Sequence, residues 1–246
     1  MRPESRKQDQ PLYEVVRAGI NERLHSGRWA AGDRIPTEGQ LAQEFGVGIG
    51  TIRRAVEELV AEGLLIRRAR IGTTVARLTD ARAFDMFFSF VDAAGKPVKV
   101  SAKLRSFRRE KASKELAERL GLAHGAPVAR VENIRLVGAT PVMLDRIWIP
   151  FARFKDLTPQ SFSARRDSIY SYYQEQYGIS VVRVLEDLGA CAAEGGLAEV
   201  LELEQGAPLL RIERTAYTFK DTPVEFRLRF VEARHARYRN VRGLQD

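Results

Sequence analysis

Residues 36–75 read PTEGQLAQEFGVGIGTIRRAVEELVAEGLLIRRARIGTTV: two short helices followed by a β-hairpin. Thr37 is placed to cap the first helix, and Gln40 three residues on completes a capping box. Leu41, Ala42 and Phe45 then face inward, and Gly46 ends the helix. The second helix begins near Ile49. Ile52, Ala55, Val56, Leu59 and Val60 recur at steps of three and four, so one stripe is buried. The opposite face shows Ile49, Gly50, Arg53, Arg54 and Glu57, and Gly63 closes the helix. Residues 64–66 read as a strand, 67–72 as a turn and 73–76 as the returning strand.

This order predicts a winged helix-turn-helix. The second helix enters the major groove with Arg53 and Arg54 near its exposed N-terminal half. The hairpin reaches phosphates or the minor groove through Arg67, Arg68 and Arg70. Residues 64–78 hold those three arginines, Arg77 and no acid. The pattern by itself leaves a plainer alternative open, a solvated helix beside a basic hairpin that binds nothing.

Composition narrows the class. The chain has 246 residues, 44% of them hydrophobic, enough for one or two cored domains. The formal net charge of +8 favours a polyanionic partner such as nucleic acid. The lone Cys191 forbids an internal disulfide and fits a reducing cytoplasm. His25, His124 and His235 lie far apart without metal-ligand spacing and read as surface residues. No apolar run approaches the ~20 residues that span a bilayer. The opening MRPESRKQDQ lacks the apolar stretch of a secretory signal, so residues 1–10 read as a disordered tail. No cofactor and no membrane partner are expected.

Along the chain, Pro11-Leu12-Tyr13 opens a first helix whose Tyr13, Val16, Ile20 and Leu24 repeat at helical spacing. A connector follows, with Gly27, Trp29, Gly32 and Asp33, and Ile35 forms a short strand or staple. The domains divide as 11–77 for DNA binding, 78–83 as a linker and 84–246 as a second domain. The second part contains a repeat: LAERLGLAHGAPVARVE at 116–132 and LAEVLELEQGAPLLRIE at 197–213, offset by 81 residues. Thr140-Pro141-Val142 is echoed by Thr222-Pro223-Val224. Each unit reads as helix, Gly-Ala-Pro turn, strand, hairpin turn and strand, so one sheet is built by duplication with a cleft between its halves. Val128, Arg130, Glu132 and Ile134 alternate with Ala129, Val131, Asn133 and Arg135. Pro150 stops the next strand. Ser168-Ile169-Tyr170 opens a helix that ends at Gly178, residues 181–188 and 226–231 read as strands, and the tail after His235 frays.

The pieces PLYEVVRAGINERLHSGRWAAGDRIPTE, LAQEFGV, TIRRAVEELVAEGLL and GTTV resemble, in order, the DNA-binding domain of the GntR family of bacterial transcription regulators. The resemblance implies a DNA contact set of Arg34, Thr37, Ile49, Gly50, Thr51, Arg53, Arg54, Arg68, Arg70, Gly72 and Thr73. The family usually has Arg at Gly39 and Ile49, and Ser or Thr at Gly48; its hairpin usually has Gly at Arg70 and a basic residue at Ile71. The usual operator preference therefore does not carry over. Losing a bidentate Arg–guanine contact removes about 1–3 kcal/mol of base discrimination. Ile49 is placed to touch a thymine methyl instead.

Residues 84–238 resemble the UTRA domain of HutC-type GntR regulators. The resemblance rests on Ser89-Phe90, LGLAHGAPVARVENIRL, TPVMLDRIWIP, DSIYSYYQEQYGI, LELEQGAPLLRIERTAY and TPVEFRLRF. It implies an α+β fold overall, a winged helix joined to a chorismate-lyase-like antiparallel sheet with flanking helices. It also implies a pocket between the halves for an effector such as a carboxylate or a sugar phosphate. Carried over, Arg135 is the anion partner. Phe88, Ser89, Ser168 and Tyr170 supply donors, and Asp145 and Glu225 accept from ligand hydroxyls or an amine. Asn133 stands where the family often has a second Arg, which favours a carboxylate or neutral polar group over a doubly charged phosphate. From pattern alone, Arg135 equally pairs with a carboxylate on a neighbouring strand, and Ser168 only caps its helix. The expected function is a cytoplasmic, ligand-responsive regulator, a repressor, that binds an operator as a homodimer. Two other readings compete: a drifted regulator with weak nonspecific DNA binding, and an enzyme working on the lyase-like sheet.

Overall fold

The computed structural model describes residues 11–76, 90–165 and 168–240. The expected tail at 1–10, the linker at 78–83, and Phe88 and Ser89 lie outside them. The chain divides into two compact units, Met1–Leu78 and Thr79–Asp246.

The first unit holds three helices and a hairpin. Helix α1 (Leu12–His25) buries Val16, Ile20 and Leu24. Helix α2 (Glu38–Phe45) starts at Thr37, whose hydroxyl accepts from the Gln40 amide while the Gln40 side chain accepts from the Thr37 amide. Helix α3 (Ile49–Ala61) buries Ile52, Ala55, Val56 and Leu59 against them. A Cβ on Gly19 would lie 2.5 Å from the Phe45 ring, so α1 meets α2 where only glycine fits. Strands β1 (Leu65–Arg68) and β2 (Gly72–Val75) form an antiparallel hairpin. The turn is tighter than the expected 67–72: Arg67, Arg68 and Gly72 belong to the ladder, and Arg70 takes a left-handed φ of 66° at the tip. Arg34 bridges to Thr74 and buried Ile35 donates its amide to Thr73, which ties the connector to the hairpin.

The second unit runs β3 (Phe90–Val91), β4 (Ser101–Lys111), α4 (Lys114–Leu120), β5 (Pro127–Val137), β6 (Thr140–Pro150), α5 (Pro159–Ser163), α6 (Ile169–Tyr177), β7 (Arg183–Ala192), α7 (Gly196–Val200), β8 (Pro208–Thr218), β9 (Thr222–Val231) and β10 (Arg237–Tyr238). Six strands form one antiparallel sheet in the order β4-β5-β6-β9-β8-β7. The duplication is visible directly: α4-β5-β6 and α7-β8-β9 are the two copies, and they meet where β6 pairs with β9.

Alternation gives this sheet two unlike faces. One carries Val128, Leu144, Trp148, Phe226, Leu228 and Phe230, covered by Leu116, Ala117 and Leu120 of the α4 copy and by Leu197, Ala198 and Leu201 of the α7 copy. The other carries Met143, Ile212 and Val231, packed by Phe90, Val98 and Ala236, together with a row of charged side chains.

Several boundaries differ from expectation. The strand expected at 181–188 is β7 at Arg183–Ala192, and the one expected at 226–231 is β9 at Thr222–Val231. Each is longer because pairing with β8 extends it past its apolar stretch. Strand β4 went unread because its charged sequence hides the period of an edge strand. The tail after His235 does not fray at once: β10 pairs with β3, Ala236 is buried, and Tyr238 meets Phe90 edge-on at 5.6 Å.

Leu120 and Leu201 occupy equivalent places in the two copies and are both buried. Leu120→Ala and Leu201→Ala should each cost about 2–5 kcal/mol in urea denaturation, with similar values. A large disparity would show that the two copies do not share the load.

Candidate functional site

The first unit offers one surface with the chemistry to read a duplex. Gly48 caps α3 without a side-chain hydrogen bond, and the Thr51 amide donates to the Gly48 carbonyl at 3.0 Å. Ile49, Gly50, Arg53 and Arg54 are exposed. The two arginines are held differently. Arg53 Nε donates to Glu38 Oε2 at 3.2 Å. Arg54 turns back, with its guanidinium 3.7 Å from the Tyr13 ring centroid and 3.7 Å from Glu58.

Of the hairpin arginines, Arg68 and Arg70 are exposed toward its tip. Arg67 is committed elsewhere: it donates to Glu38 Oε1 at 2.7 Å and to Glu57 at 3.3 Å. The Arg34 guanidinium lies against Gly72, where a Cβ would come within 3.0 Å of its Nε. The Thr37 hydroxyl is occupied by its capping box, and Thr51 and Thr73 are half-buried. Sequence reasoning missed Glu38. Its signal was position: a carboxylate in the first turn of α2, the helix that precedes α3.

In the second unit the charged row of the sheet forms a connected network. Asp145, fully buried on β6, accepts from Arg229 Nε at 2.5 Å and Nη2 at 3.1 Å, and from Arg135 Nε at 2.8 Å. Arg227 approaches the same carboxylate at 3.6 Å. Burial pushes the Asp145 carboxyl upward, but Arg229, Arg135 and Arg227 overcome this and hold it well below the usual range. Glu225, also fully buried, accepts from Tyr173 at 2.8 Å, Tyr170 at 3.3 Å and Arg227 at 2.9 Å. Burial, then Glu225, drive both tyrosine hydroxyls upward, so they remain donors. Arg214 and Tyr238 both donate to Glu186.

The guanidiniums crowd one another. Burial lowers Arg229 to about 10, with Arg135 and Arg227 pressing the same way against the pull of Asp145. Arg165 is also lowered to about 10, by burial first and then by Arg135 and Arg227. Such a group gains from an added anion.

The structure therefore brings Asn133, Arg135, Asp145, Tyr170 and Glu225 together. It also pairs Arg135 with a carboxylate on the neighbouring strand, the alternative that the pattern had left open. Asp145 and Glu225 spend their oxygens on protein donors and serve to hold guanidiniums and tyrosines in place. Ser168 caps α6 by accepting from the Ser171 amide. Arg165, Arg214, Arg227 and Arg229 were not singled out from sequence. Their signal is legible in hindsight: Phe226, Leu228 and Phe230 alternate with Glu225, Arg227 and Arg229. If the apolar set faces helices, the charged set must share the other face.

Comparison with known proteins identifies both domains. The model of "Bacterial regulatory proteins, gntR family" matches residues 12–75, and that of the "UTRA domain" matches residues 96–237. The chain is 31% identical over 216 residues to the "Probable fructoselysine utilization operon transcriptional repressor" of Shigella flexneri, covering 87% of this chain and 88% of that protein. It is 28% identical over 216 residues to the "HTH-type transcriptional repressor NagR" of Bacillus subtilis, with the same coverage. Among solved structures, a ligand-binding domain assigned to the GntR regulators of Bordetella bronchiseptica is 30% identical. It superposes with a TM-score of 0.62 and covers 64% of this chain and 98% of its own.

Asp145→Asn should remove the shared counter-charge and cost about 3–5 kcal/mol in urea denaturation. The depressed carboxyl also sets a pH dependence. The unfolded chain takes up this proton first, so the contribution is complete above roughly pH 4 and fades as pH falls further. The variant should lose that part of the acid decline. An Asn variant as stable as the parent would remove Asp145 from this role.

Proposed function

The chain belongs to the GntR family of bacterial regulatory proteins in its HutC-type form with a UTRA domain, and from that premise we propose a ligand-responsive repressor released from its operator by a small polar or anionic metabolite. It is a DNA-binding transcription regulator and not an enzyme, which sets aside the lyase-like reading. The observation that carries the proposal is the exposed start of α3, with Ile49, Gly50 and Arg53 beside Arg68 and Arg70 of the hairpin.

In this reading α3 lies in the major groove and the hairpin arginines meet phosphate. The repressor acts as a homodimer, whose two-fold axis matches an operator of two half-sites. The sheet carrying Asp145 and its arginines binds the effector. The effector frees DNA only because it favours one arrangement of the dimer over another. The relative named for fructoselysine utilization supports a nutrient operon as target. In this reading the protein works on chromosomal DNA, in the cytoplasm. No helix among the described residues is long and apolar enough to cross a membrane. A second reading, weak nonspecific DNA binding, draws on the uncapped Gly48 and on Ile49, which is 50% exposed where Arg is usual. Steep salt dependence without sequence preference would favour it.

Arg53→Ala should weaken operator binding about tenfold or more in fluorescence anisotropy, from the loss of a base contact, with unchanged circular dichroism. Undiminished affinity would remove α3 as the reading element. Arg135→Ala should raise the effector concentration needed for release by at least about tenfold; an unshifted dose response would remove Arg135 as its anion partner.

A further inference from the structure

The two halves of the sheet are built alike, so an unlike pair of equivalent residues marks an alteration. Asn133 on β5 corresponds to Arg214 on β8, 81 positions on. Each sits on the polar face between an outer strand and a central one. Asn133 stands between Leu104 and Asp145, and Arg214 between Glu186 and Arg227. Arg214 is neutralised by Glu186 at 2.6 Å. Asn133 has Leu104 in the equivalent place, which offers nothing polar. The Asp145 carboxylate on its other side is taken by Arg229 and Arg135.

Asn133 is fully buried, and among the described residues neither its Oδ1 nor its Nδ2 has a hydrogen-bond partner. Buried polar atoms are almost always satisfied in native structures, and leaving a donor and an acceptor open weakens the fold. Packing alone would favour an apolar side chain here, as at Val131 and Ile147 beside it. A single group that satisfies both ends of the carboxamide must both donate and accept. A hydroxyl does both; a carboxylate or phosphate oxygen accepts only, and an ammonium donates only. Arg135 lies two residues along the same face, about 7 Å away by strand rise. It shares that face, and the Asp145 carboxylate, with Arg227 and Arg229. A cationic ligand group is repelled there and an anionic one is drawn in.

We propose that Asn133 determines effector specificity by binding a ligand hydroxyl, while Arg135 holds the anionic group of the same ligand. The effector class is a hydroxylated anion, a sugar acid or sugar phosphate, as opposed to an alkyl carboxylate or alkyl phosphate. This rests on the reading of the polar face as the effector site.

The test is thermal denaturation of the full chain with two probe sets: gluconate, glucose 6-phosphate and gluconate 6-phosphate against hexanoate, hexyl phosphate and inorganic phosphate. At least one hydroxylated probe should stabilise the protein, and the alkyl probes and phosphate should not match it. Asn133→Leu, with Asn133→Val as the smaller alternative, should raise the ligand-free midpoint by about 2 °C or more and weaken the stabilising probe at least about tenfold. A lower ligand-free midpoint in both variants would make Asn133 a structural residue and overturn the proposal. So would undiminished probe binding by either variant. If alkyl anions bind equally well and release operator in an Arg135-dependent way, the hydroxyl assignment fails while the effector site stands. If no probe stabilises the protein or frees operator, both fail together.

Discussion

A carboxylate with no exposure cannot stay ionised in the middle of a sheet unless cations are brought to it. Asp145 has Arg229, Arg135 and, a little farther off, Arg227. This ion cluster crosses the line where the two copies of the duplicated unit meet, since Asp145 lies on β6 and Arg229 on β9. Its net contribution to stability is small, because desolvation offsets most of the attraction; breaking it is what costs. Its larger effect is on register. A slip of one residue in β6 or β9 would turn Asp145 or Arg229 into the apolar layer under α4 and α7. The alternation of apolar and charged residues in β9 and the charge pairing across β6 and β9 thus specify the same alignment.

The DNA-reading unit obeys a softer constraint. Glu38 gathers Arg53 from the recognition helix and Arg67 from the hairpin, at positions open to solvent. Exposed pairs of this kind are worth at most about 1 kcal/mol. They restrict where the guanidiniums point without holding them against a competing phosphate or base edge. Preorganisation of that kind reduces the entropy lost on docking. It also divides labour among the hairpin arginines: Arg67 braces the surface from within, and Arg68 and Arg70 remain at its rim.

Much of this was legible in the sequence wherever a period and a punctuation mark coincided. The capping box at Thr37 and Gln40, the stripe from Ile52 to Leu59 and the glycine ends of α2 and α6 are local signals, and local physics decides them. The duplicated LAE-Gly-Ala-Pro unit announced a single sheet because like sequences fold alike. The failures share a cause. Strand β4 is an edge strand whose lysines and arginines mask its alternation, and β10 is a strand only because Phe90 and Val91 come from far away to pair with it. Glu38, Arg227 and Arg229 matter through partners distant in sequence. No spacing rule reveals that Asp145 and Glu225, read as ligand acceptors, have their oxygens occupied, Asp145 by arginines of both neighbouring strands and Glu225 by Arg227 of its own strand and two tyrosines of α6.

Where β6 meets β9, each copy of the repeat is braced by the other, while β4 and β7 stand at opposite rims with one neighbour apiece. The difference between Leu104 and Glu186 arises on those rim strands. Such a layout separates the residues that keep the scaffold together from those that can diversify. A substitution on either rim strand thus leaves the β6–β9 pairing that joins the copies untouched.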